Sequence, residues 1–362
     1  MKQITPKTII AILTALIFFN AQYFANAQND KPAERWPVDK AHKWGEELPW
    51  LKGANFIPST AVNQLEMWQK ETFDPETIDR ELGWAEDIGF NCMRVYLHHV
   101  AWEFDKKGFV DRMDRYLDIA TKHGIYTIFV FLDDCWNPEY HPGKQPKPKP
   151  GVHNSGWVRD PGDLLFKDPE VRPLLKEYIQ DILTRFKDDK RIVLWDLYNE
   201  PGNSGYRNRS LPLLKDVFSW AREISPSQPI TAGIWAQNLK ELTRFQLENS
   251  DIITYHNYSD EKDHQKEIVE LKKYKRPLVC TEYMARTRNS RFENIMPILK
   301  AEHIGAINWG LVSGKTNTIY EWGHKIPDGS EPKVWFHDIF RQDGTPYDPK
   351  EIELIKKLTG KE

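Results

Sequence analysis

The 362-residue sequence contains only three cysteines, Cys92, Cys135 and Cys280. They are too few and too far apart for the disulfide framework of a small secreted protein, and no C-x-x-C pair offers a zinc site. We therefore expect three buried thiols, with a bridge between Cys92 and Cys135 as the alternative in an oxidising compartment. Without a disulfide framework, stability has to come from the hydrophobic core.

An excess of positive charge is also missing. The 50 basic side chains are outnumbered by 53 acidic ones, which gives a formal charge of −3. A mildly acidic chain without basic clusters argues against nucleic acid as a partner. Beyond the N-terminus no apolar run is long enough to cross a bilayer, so we expect no membrane partner either.

The N-terminus itself has the pattern of a secretory signal. Two lysines precede an apolar run from Ile9 to Phe19, and Ala25-Asn26-Ala27 follows with small residues around the middle position. This layout predicts cleavage after residue 27, and the run is too short to span a membrane. A buried N-terminal helix is the alternative. We expect residues 28–362 to form one exported domain, periplasmic or secreted, that is monomeric.

Aromatic residues, in contrast, are abundant in the sequence. The sequence has 14 tryptophans, and aromatic residues make up 12% of it. Large flat rings are costly on a bare surface, so this supply suggests planar ligands or sugar faces as well as core.

Short apolar runs alternate with helical patterns along the chain. Apolar periodicity predicts eight strands, at 51–56, 91–97, 125–132, 192–198, 229–234, 252–258, 277–283 and 306–311. Each is followed by helix, the last stretch from Glu331 to Leu358 as one or two helices. Eight such units predict a (β/α)8 barrel. A doubly wound sheet is the alternative, but it usually has fewer strands and a Gly-rich phosphate loop after the first, which this sequence lacks.

The longest connection runs from Asp133 to about Asp168 and is rich in proline, glycine and lysine. Loops of this length in compact domains are usually functional or disordered. Because active sites of barrels lie at the carboxyl ends of the strands, we expect it to form a wall of the substrate cleft with a mobile tip.

Two glutamates end apolar strands. Glu200 ends the run from Val193 through Asn199, and Glu282 ends the run from Pro277 through Thr281. A carboxylate at the end of a buried strand costs desolvation energy, and a salt bridge or helix cap would explain one such acid better than two. Paired carboxylates at the mouth of a barrel can cleave a glycosidic bond.

The segment Trp195-Asp196-Leu197-Tyr198-Asn199-Glu200-Pro201 resembles the Asn-Glu-Pro signature of clan A glycoside hydrolases, especially the cellulase-like family 5, and the likeness extends from Leu51 to about Phe340. The resemblance implies retaining hydrolysis of a β-glycoside, with Glu200 as acid/base and Glu282 as nucleophile. It implies no cofactor and no metal.

The same resemblance assigns further residues. Arg94 matches the arginine that pairs with the nucleophile, which would lower the pKa of Glu282. Asn199 matches the residue that binds the sugar 2-hydroxyl. The remaining matches are the His-x-Tyr pair on strand six and the sugar platform that ends strand eight: His256, Tyr258 and Trp309.

The sequence departs from the family after strand three, where Asp133 and Asp134 stand in place of a frequent histidine. We expect one of these acids to bind sugar hydroxyls and His98-His99 to take part of the missing role. Stretches 63–68 and 313–322 look more like family 2 glycosidase barrels. Four further residues complete the predicted sugar-facing set: Asn55, Trp136, Trp157 and Trp322.

Two other functions stay open from the sequence. The first is a metal-dependent barrel of the amidohydrolase kind, whose ligands would be drawn from His98, His99, Asp133, Asp134 and His256. The second is a sugar-binding protein without catalysis on a hydrolase barrel. The identity of the sugar, among β-glucan, β-mannan, β-xylan and β-galactan, and endo or exo action also stay open.

Overall fold

A computed structural model describes residues 34–361 as a parallel barrel, which confirms the predicted (β/α)8 fold. The predicted signal sequence lies outside the described residues. Hydrogen-bonded neighbours run in the order β5-β4-β3-β2-β1-β8-β7-β6. The strands are β1 (Lys52–Asn55), β2 (Cys92–Tyr96), β3 (Tyr126–Asp133), β4 (Ile192–Asn199), β5 (Ile230–Thr231), β6 (Ile253–His256), β7 (Leu278–Glu282) and β8 (Gly305–Trp309).

The barrel closes between β6 and the chain that follows the short β5. The amide of Ile234 donates to the carbonyl of Thr254 at 2.9 Å, and the amide of His256 donates to the carbonyl of Ile234 at 2.8 Å. These two bonds bring the carboxyl ends of all eight strands into one ring, where the loops that follow them converge.

Helices surround the barrel: α1 (Val38–Glu47), α2 (Gln64–Trp68), α3 (Pro75–Asp87), α4 (His99–Phe104), α5 (Lys106–Lys122), α6 (Leu164–Lys167), α7 (Val171–Phe186), α8 (Leu211–Ile224), α9 (Lys240–Asn249), α10 (Glu261–Lys272), α11 (Phe292–Ala301) and α12 (Pro349–Thr359). Several of these helices begin at residues that favour the start of a helix. Before α3, for example, the Asp74 carboxylate accepts a hydrogen bond from the amide of Thr77, and Pro75 occupies the first turn.

The core has two layers. β3 and β4 are buried along almost their whole length, as expected for strands covered on both faces. One layer fills the barrel interior, and the other lies between the strands and the helices. The short helix α1 covers the amino end of the barrel, where the Trp44 indole donates to the carbonyl of Val193 at 3.1 Å.

The C-terminal prediction was wrong in part. Residues 331–348 are not helical, and only Pro349–Thr359 forms a helix. The backbone of the irregular stretch instead bonds to the loop after β8, since the amide of Phe336 donates to the carbonyl of Ile319 at 2.8 Å and that of Ile339 donates to Leu311 at 3.0 Å. Long-range pairing of this kind overrides local helical pattern.

All three cysteines lie within the described residues as free, buried thiols, so the Cys92–Cys135 bridge is not formed. Among the described helices, none combines the length and the apolar character that a bilayer crossing needs.

Candidate active site

The two glutamates meet at the carboxyl end of the barrel. Glu282 is the last residue of β7, and Glu200 follows β4 directly with a positive φ of 44°, a conformation that costs energy for a residue with a side chain. A carboxylate oxygen of each, together with one ring nitrogen of His256, lie within 4.8 Å of one another. The strained turn after β4 thus places Glu200 opposite Glu282.

Three donors surround the Glu282 carboxylate. Arg94 Nη1 and the Tyr96 hydroxyl donate to Oε1 at 2.9 and 3.0 Å, and the Tyr258 hydroxyl donates to Oε2 at 2.8 Å. Burial raises the pKa of both tyrosines well above its usual range, so both hydroxyls keep their protons and donate. This set of donors fixes the orientation of Glu282 and stabilises its negative charge.

Arg94 is fully buried at the centre of this network. Besides Glu282 it donates to Asp196 Oδ2 at 2.8 Å, to Asn199 Oδ1 at 2.7 Å and to Asn55 Oδ1 at 2.8 Å. The predicted pairing of Arg94 with Glu282 is therefore present in the structure. Asn55 lies beneath the site as a partner of Arg94, and its amide also donates to the carbonyl of Thr281 at 2.7 Å. It does not line the cleft.

Glu200 has neutral or weakly polar partners. The Cys135 thiol donates to Oε2 at 3.2 Å, the Asn203 amide donates to the same oxygen, and His256 Nδ1 lies 2.8 Å from Oε1. His256 Nδ1 also lies 3.5 Å from Glu282, so the imidazole stands between the two acids. Burial lowers the pKa of His256 to about 4, which leaves the ring neutral.

Arg94 lowers the pKa of Glu282, as expected, but this effect does not set the overall direction of the pKa change. Burial raises the pKa of Glu282, and Glu200 adds to that effect; His256 and Arg94 only offset part of it. Burial also raises the pKa of Glu200. Two close, buried carboxylates share protons as a pair. Arg94 and the two tyrosines donate to Glu282 and so favour the charged form of that carboxylate, whereas the donors to Glu200 are uncharged.

Behind the acids, Asp133 organises the floor of the site. Asn199 Nδ2 donates to Asp133 Oδ1 at 2.9 Å, and the Trp157 indole donates to Oδ2 at 2.7 Å. Trp157 and Tyr96 in turn pack edge-on against Trp309, with ring centroids 5.7 and 5.9 Å away. Trp309 therefore presents a fixed aromatic surface beside Glu282.

A cavity of about 970 Å³ opens above these residues. Ten of the predicted site residues line it, namely Trp157 and nine others: Asp133, Trp136, Asn199, Glu200, His256, Tyr258, Glu282, Trp309 and Trp322. Most of the cleft wall is therefore made of residues that the sequence predicts, with Arg94 acting from beneath.

Asp134 does not belong to that wall. Its carboxylate is fully buried and accepts from the Tyr198 hydroxyl at 2.7 Å, the Gly202 amide at 2.7 Å and the Ser210 hydroxyl at 2.5 Å. Consecutive strand residues point to opposite faces, so Asp133 faces the barrel axis and Asp134 faces outward, towards the loop after β4. Of the two acids, Asp133 is the one at the cleft.

We expect Asp134→Ala to lower the free energy of unfolding by about 2–3 kcal/mol, because three buried donors lose their acceptor. Urea denaturation followed by tryptophan fluorescence measures this. The control is Asp111→Ala, an exposed acid paired only with Lys107, which should change stability by less than about 0.5 kcal/mol. Equal effects of the two substitutions would contradict the structural role of Asp134.

The residues weighed for a metal site are divided among separate clusters. His99 Nδ1 and the His99 amide both bond to Asp160, and His98 Nε2 bonds to the carbonyl of Arg159 at 3.1 Å. Both histidines lie beneath the loop after β3 and do not line the cleft. Three of their four ring nitrogens have protein partners, and Asp133 and His256 face other groups. The amidohydrolase alternative, and the sugar-binding role expected for His98-His99, lose their basis.

The long loop after β3 is a wall of the cleft, but its tip is anchored. The side chain of Asn63 donates to Gln145 Oε1 at 2.9 Å, and that of Gln69 donates to the carbonyl of Gly143 at 2.9 Å. These bonds attach the proline-rich tip to the two residues that cap α2, Asn63 and Gln69. The tip is therefore held in place, whereas the sequence predicts a mobile tip.

Among the residues that sequence reasoning missed are four near the acids: Tyr96, Cys135 and Asn203, which touch a carboxylate, and Trp235, which lines the cleft. The signal for Tyr96 was available, since it lies two positions after Arg94 on one strand and so shares its face. The other three follow strand ends in irregular loops, where no periodicity locates a side chain.

A parallel (β/α)8 barrel that presents two close glutamates from β4 and β7 defines a barrel glycoside hydrolase. The chain belongs to the cellulase family, glycosyl hydrolase family 5, whose family model matches residues 53–315. The predicted resemblance to this family is confirmed.

Similar proteins include a mannan endo-1,4-beta-mannosidase 2 of Oryza sativa, 25% identical over 49% of this chain and 38% of its own length. A beta-xylosidase of Phanerodontia chrysosporium is 25% identical over 41% of this chain and 30% of its own length. The chain thus spans well under half the length of these relatives. The exo-beta-1,4-mannosidase Op5Man5 from Opitutaceae bacterium strain TAV5 shares the fold, with a TM-score of 0.61 and 17% identity over 86% of this chain and 59% of that one.

Proposed function

We propose that the protein is a retaining β-glycosidase that cleaves β-1,4-linked mannan-type saccharides. The observation that carries the proposal is the Glu200–Glu282 pair, whose carboxylate oxygens approach within 4.8 Å. Retaining enzymes hold their carboxyl groups about 5–5.5 Å apart, whereas inverting enzymes leave about 6.5–9.5 Å for a water molecule.

In the first step, a Glu282 oxygen attacks the anomeric carbon while the bond from that carbon to the leaving oxygen breaks. Glu200 gives its proton to the leaving oxygen, so the products are a glycosyl ester of Glu282 and a free alcohol. Arg94, Tyr96 and Tyr258 hold the attacking carboxylate in place.

In the second step, water enters where the leaving group stood. Glu200, now ionised, takes a proton from this water as its oxygen attacks the anomeric carbon and displaces Glu282. Two inversions at one carbon give net retention. Neutral His256 lies between both acids and can keep its hydrogen bond to Glu200 in either protonation state.

The mannan-type substrate is supported by the name of the rice relative and needs a direct test. We expect faster hydrolysis of β-1,4-mannooligosaccharides than of the matching gluco- and xylooligosaccharides, with the β-anomer as the first product seen by proton NMR. Selective cleavage of xylooligosaccharides would move the proposal towards the activity named for the Phanerodontia relative, and initial release of the α-anomer would exclude retention. Binding of the whole panel without turnover would favour a non-catalytic role.

We also propose that the protein is exported, on the strength of the charged, apolar and small-residue pattern over residues 1–27. Expression in the native host followed by cell fractionation and N-terminal sequencing tests this. A mature protein that begins at Gln28 outside the cytoplasm is expected, and an intact Met1 in the cytoplasm would contradict export.

The Cys135 thiol provides a pH test of the acid/base assignment. Its hydrogen bond to Glu200 favours the carboxylate and lowers the pKa of Glu200 against the larger, opposite effect of burial. We expect Cys135→Ala to raise that pKa further. Because the general acid must be protonated, the alkaline limb of the kcat/KM profile moves to higher pH, and the maximum changes by less than about tenfold.

The matched control is Cys92→Ala, which removes another buried thiol, on β2, that contacts neither acid. Its alkaline limb should coincide with that of the unmodified enzyme. If the limb stays in place for Cys135→Ala as well, the thiol does not act on Glu200.

A further inference from the structure

The two flanks of the catalytic pair differ in what surrounds them. A glycosyl residue bonded to Glu282 would stand next to Trp309, because the Trp309 amide donates to the carbonyl of Tyr283, the residue after Glu282, at 3.0 Å and both side chains line the cavity. The leaving group lies beside Glu200, since that residue protonates the leaving oxygen, and next to Asn203 and Trp235. The Trp309 flank is therefore the glycone side, and the Trp235 flank is the leaving-group side.

On the glycone side the space ends behind Trp309 and Trp157. The void beyond them measures about 20 Å³ and is bordered by the loop after β8. A volume of that size holds about one water molecule, since a single water needs roughly 10–15 Å³. No second sugar ring fits in this void behind Trp309 and Trp157.

Two loops meet to close this side, and we call their contact the clasp, formed by residues 149–154 after β3 and residues 314–326 after β8. The amide of Asn154 donates to the carbonyl of Thr316 at 2.8 Å, and that of Ile326 donates to Gly151 at 3.1 Å. The Asn317 side chain donates to the carbonyl of Lys149 at 2.9 Å, and His153 Nδ1 lies 2.8 Å from the carbonyl of Tyr320.

The clasp is also fixed to the loop after β1. The Lys315 amide donates to the carbonyl of Ser59 at 3.1 Å, and its ammonium group pairs with Glu66 at 2.7 Å. Backbone hydrogen bonds thus join the loops after β1, β3 and β8 to one another. Together these loops form a fixed wall of the cleft.

The leaving-group side is open by contrast. From Glu200 the 970 Å³ cavity continues past Trp235 and Gln237 to α10, where Asp263, Lys266 and Glu270 are exposed at its rim. A long chain can leave the site in this direction.

We propose that the enzyme acts from the chain end: one glycosyl residue at the non-reducing terminus fills the closed side, and the rest of the chain extends over Trp235 towards α10. In a β-1,4-linked chain the glycone side leads to the non-reducing end, so each cycle releases one monosaccharide. This inference rests on the proposed glycosidase function.

The test uses β-1,4-linked pentasaccharides of mannose, glucose and xylose, labelled at the reducing end and either free or carrying a benzyl ether on the non-reducing 4-hydroxyl. The free member of the cleaved series should yield a monosaccharide and labelled tetrasaccharide first, whereas the benzylated member should react roughly 100-fold more slowly. Similar rates for both, or initial release of di- and trisaccharides, would overturn the inference and leave the glycosidase function standing. Failure to cleave any member would overturn both.

The loop after β3 contains two glycines, Gly151 and Gly143, that provide a test variant and a matched control. Gly151 has a φ of +65°, and a Cβ there would meet the Ile326 carbonyl oxygen at 1.8 Å, so Gly151→Ala forces the clasp apart. Gly143→Ala places the same methyl group at a φ of +86° with nothing within 4 Å. Gly151→Ala should gain cleavage of the benzylated pentasaccharide, and Gly143→Ala should not.

If Gly151→Ala does not fold, Asn317→Ala replaces it, because it removes the side-chain bonds to the carbonyls of Lys149 and Val152 without placing an atom against Ile326. If a folded clasp variant gains no cleavage of the benzylated pentasaccharide, the clasp is not the cause of chain-end action.

Discussion

Glu282→Gln is expected to reduce turnover by on the order of 10⁵-fold, since removing a nucleophile costs about as much as removing the whole catalytic unit. An amide is a far weaker nucleophile than a carboxylate, so the glycosyl ester cannot form, even though the side chain keeps its size and position. Initial rates on an aryl β-glycoside with a good leaving group measure the loss.

Covalent labelling makes this result specific. A 2-deoxy-2-fluoro glycoside with a good leaving group should trap the ester on the peptide that contains Glu282, as a mass increase in the intact enzyme, and Glu282→Gln should show none. Glu81→Gln is the control, a fully buried glutamate whose pKa burial raises to about 7 and which bonds to the Ser59 amide outside the cleft. It should still be labelled. Label on any other residue would overturn the nucleophile assignment.

Glu200→Ala should lower kcat/KM by roughly 10²–10⁴-fold on saccharides with poor leaving groups, the range typical of a lost general acid/base. The loss should be smaller for dinitrophenyl glycosides, because their leaving oxygen needs no proton in the first step. The ester then accumulates, since no base activates water for the second.

Azide distinguishes this role from simple structural damage. A small anion can occupy the space of the missing carboxylate and attack the ester without base assistance, so azide should raise turnover of the dinitrophenyl glycoside and yield a β-glycosyl azide. An α-glycosyl azide, or no response to azide in a folded variant that still forms the ester, would falsify the acid/base role of Glu200. Asn203→Ala removes one donor to the same carboxylate and should show no azide rescue.

Much of the site follows from position in the sequence. A charged residue at the end of a buried strand is costly, and in a barrel all strand ends lie in one ring, so the positions of Glu200 and Glu282 in the chain predict that they meet. The family resemblance assigns His256, Tyr258 and Trp309, which also lie at or just after strand ends. Strand-end position does not place Asp134, because neighbouring positions on one strand face opposite ways and only the register of β3 decides which acid faces the axis.

Electrostatics could not be predicted in the same way. The sequence indicates that Arg94 pairs with Glu282, but the direction of the pKa change depends on how deeply both groups are buried. The five side-chain partners of Arg94 and the intervening His256 come from β1, β2, β4, β6 and β7, and they meet only in the assembled barrel. These contacts join residues far apart in the chain, so no local sequence pattern predicts them.

The sequence by itself determined the barrel, the two strand-end glutamates and the family, because strand periodicity, strand-end charge and the Asn199-Glu200-Pro201 motif are local signals. Only the tertiary structure decided the clasp, the anchored tip of the loop after β3 and the irregular course of residues 331–348. These depend on hydrogen bonds between segments far apart in the chain, in loops without periodicity. The closed glycone side, and with it the proposed action at chain ends, is a consequence of those long-range bonds.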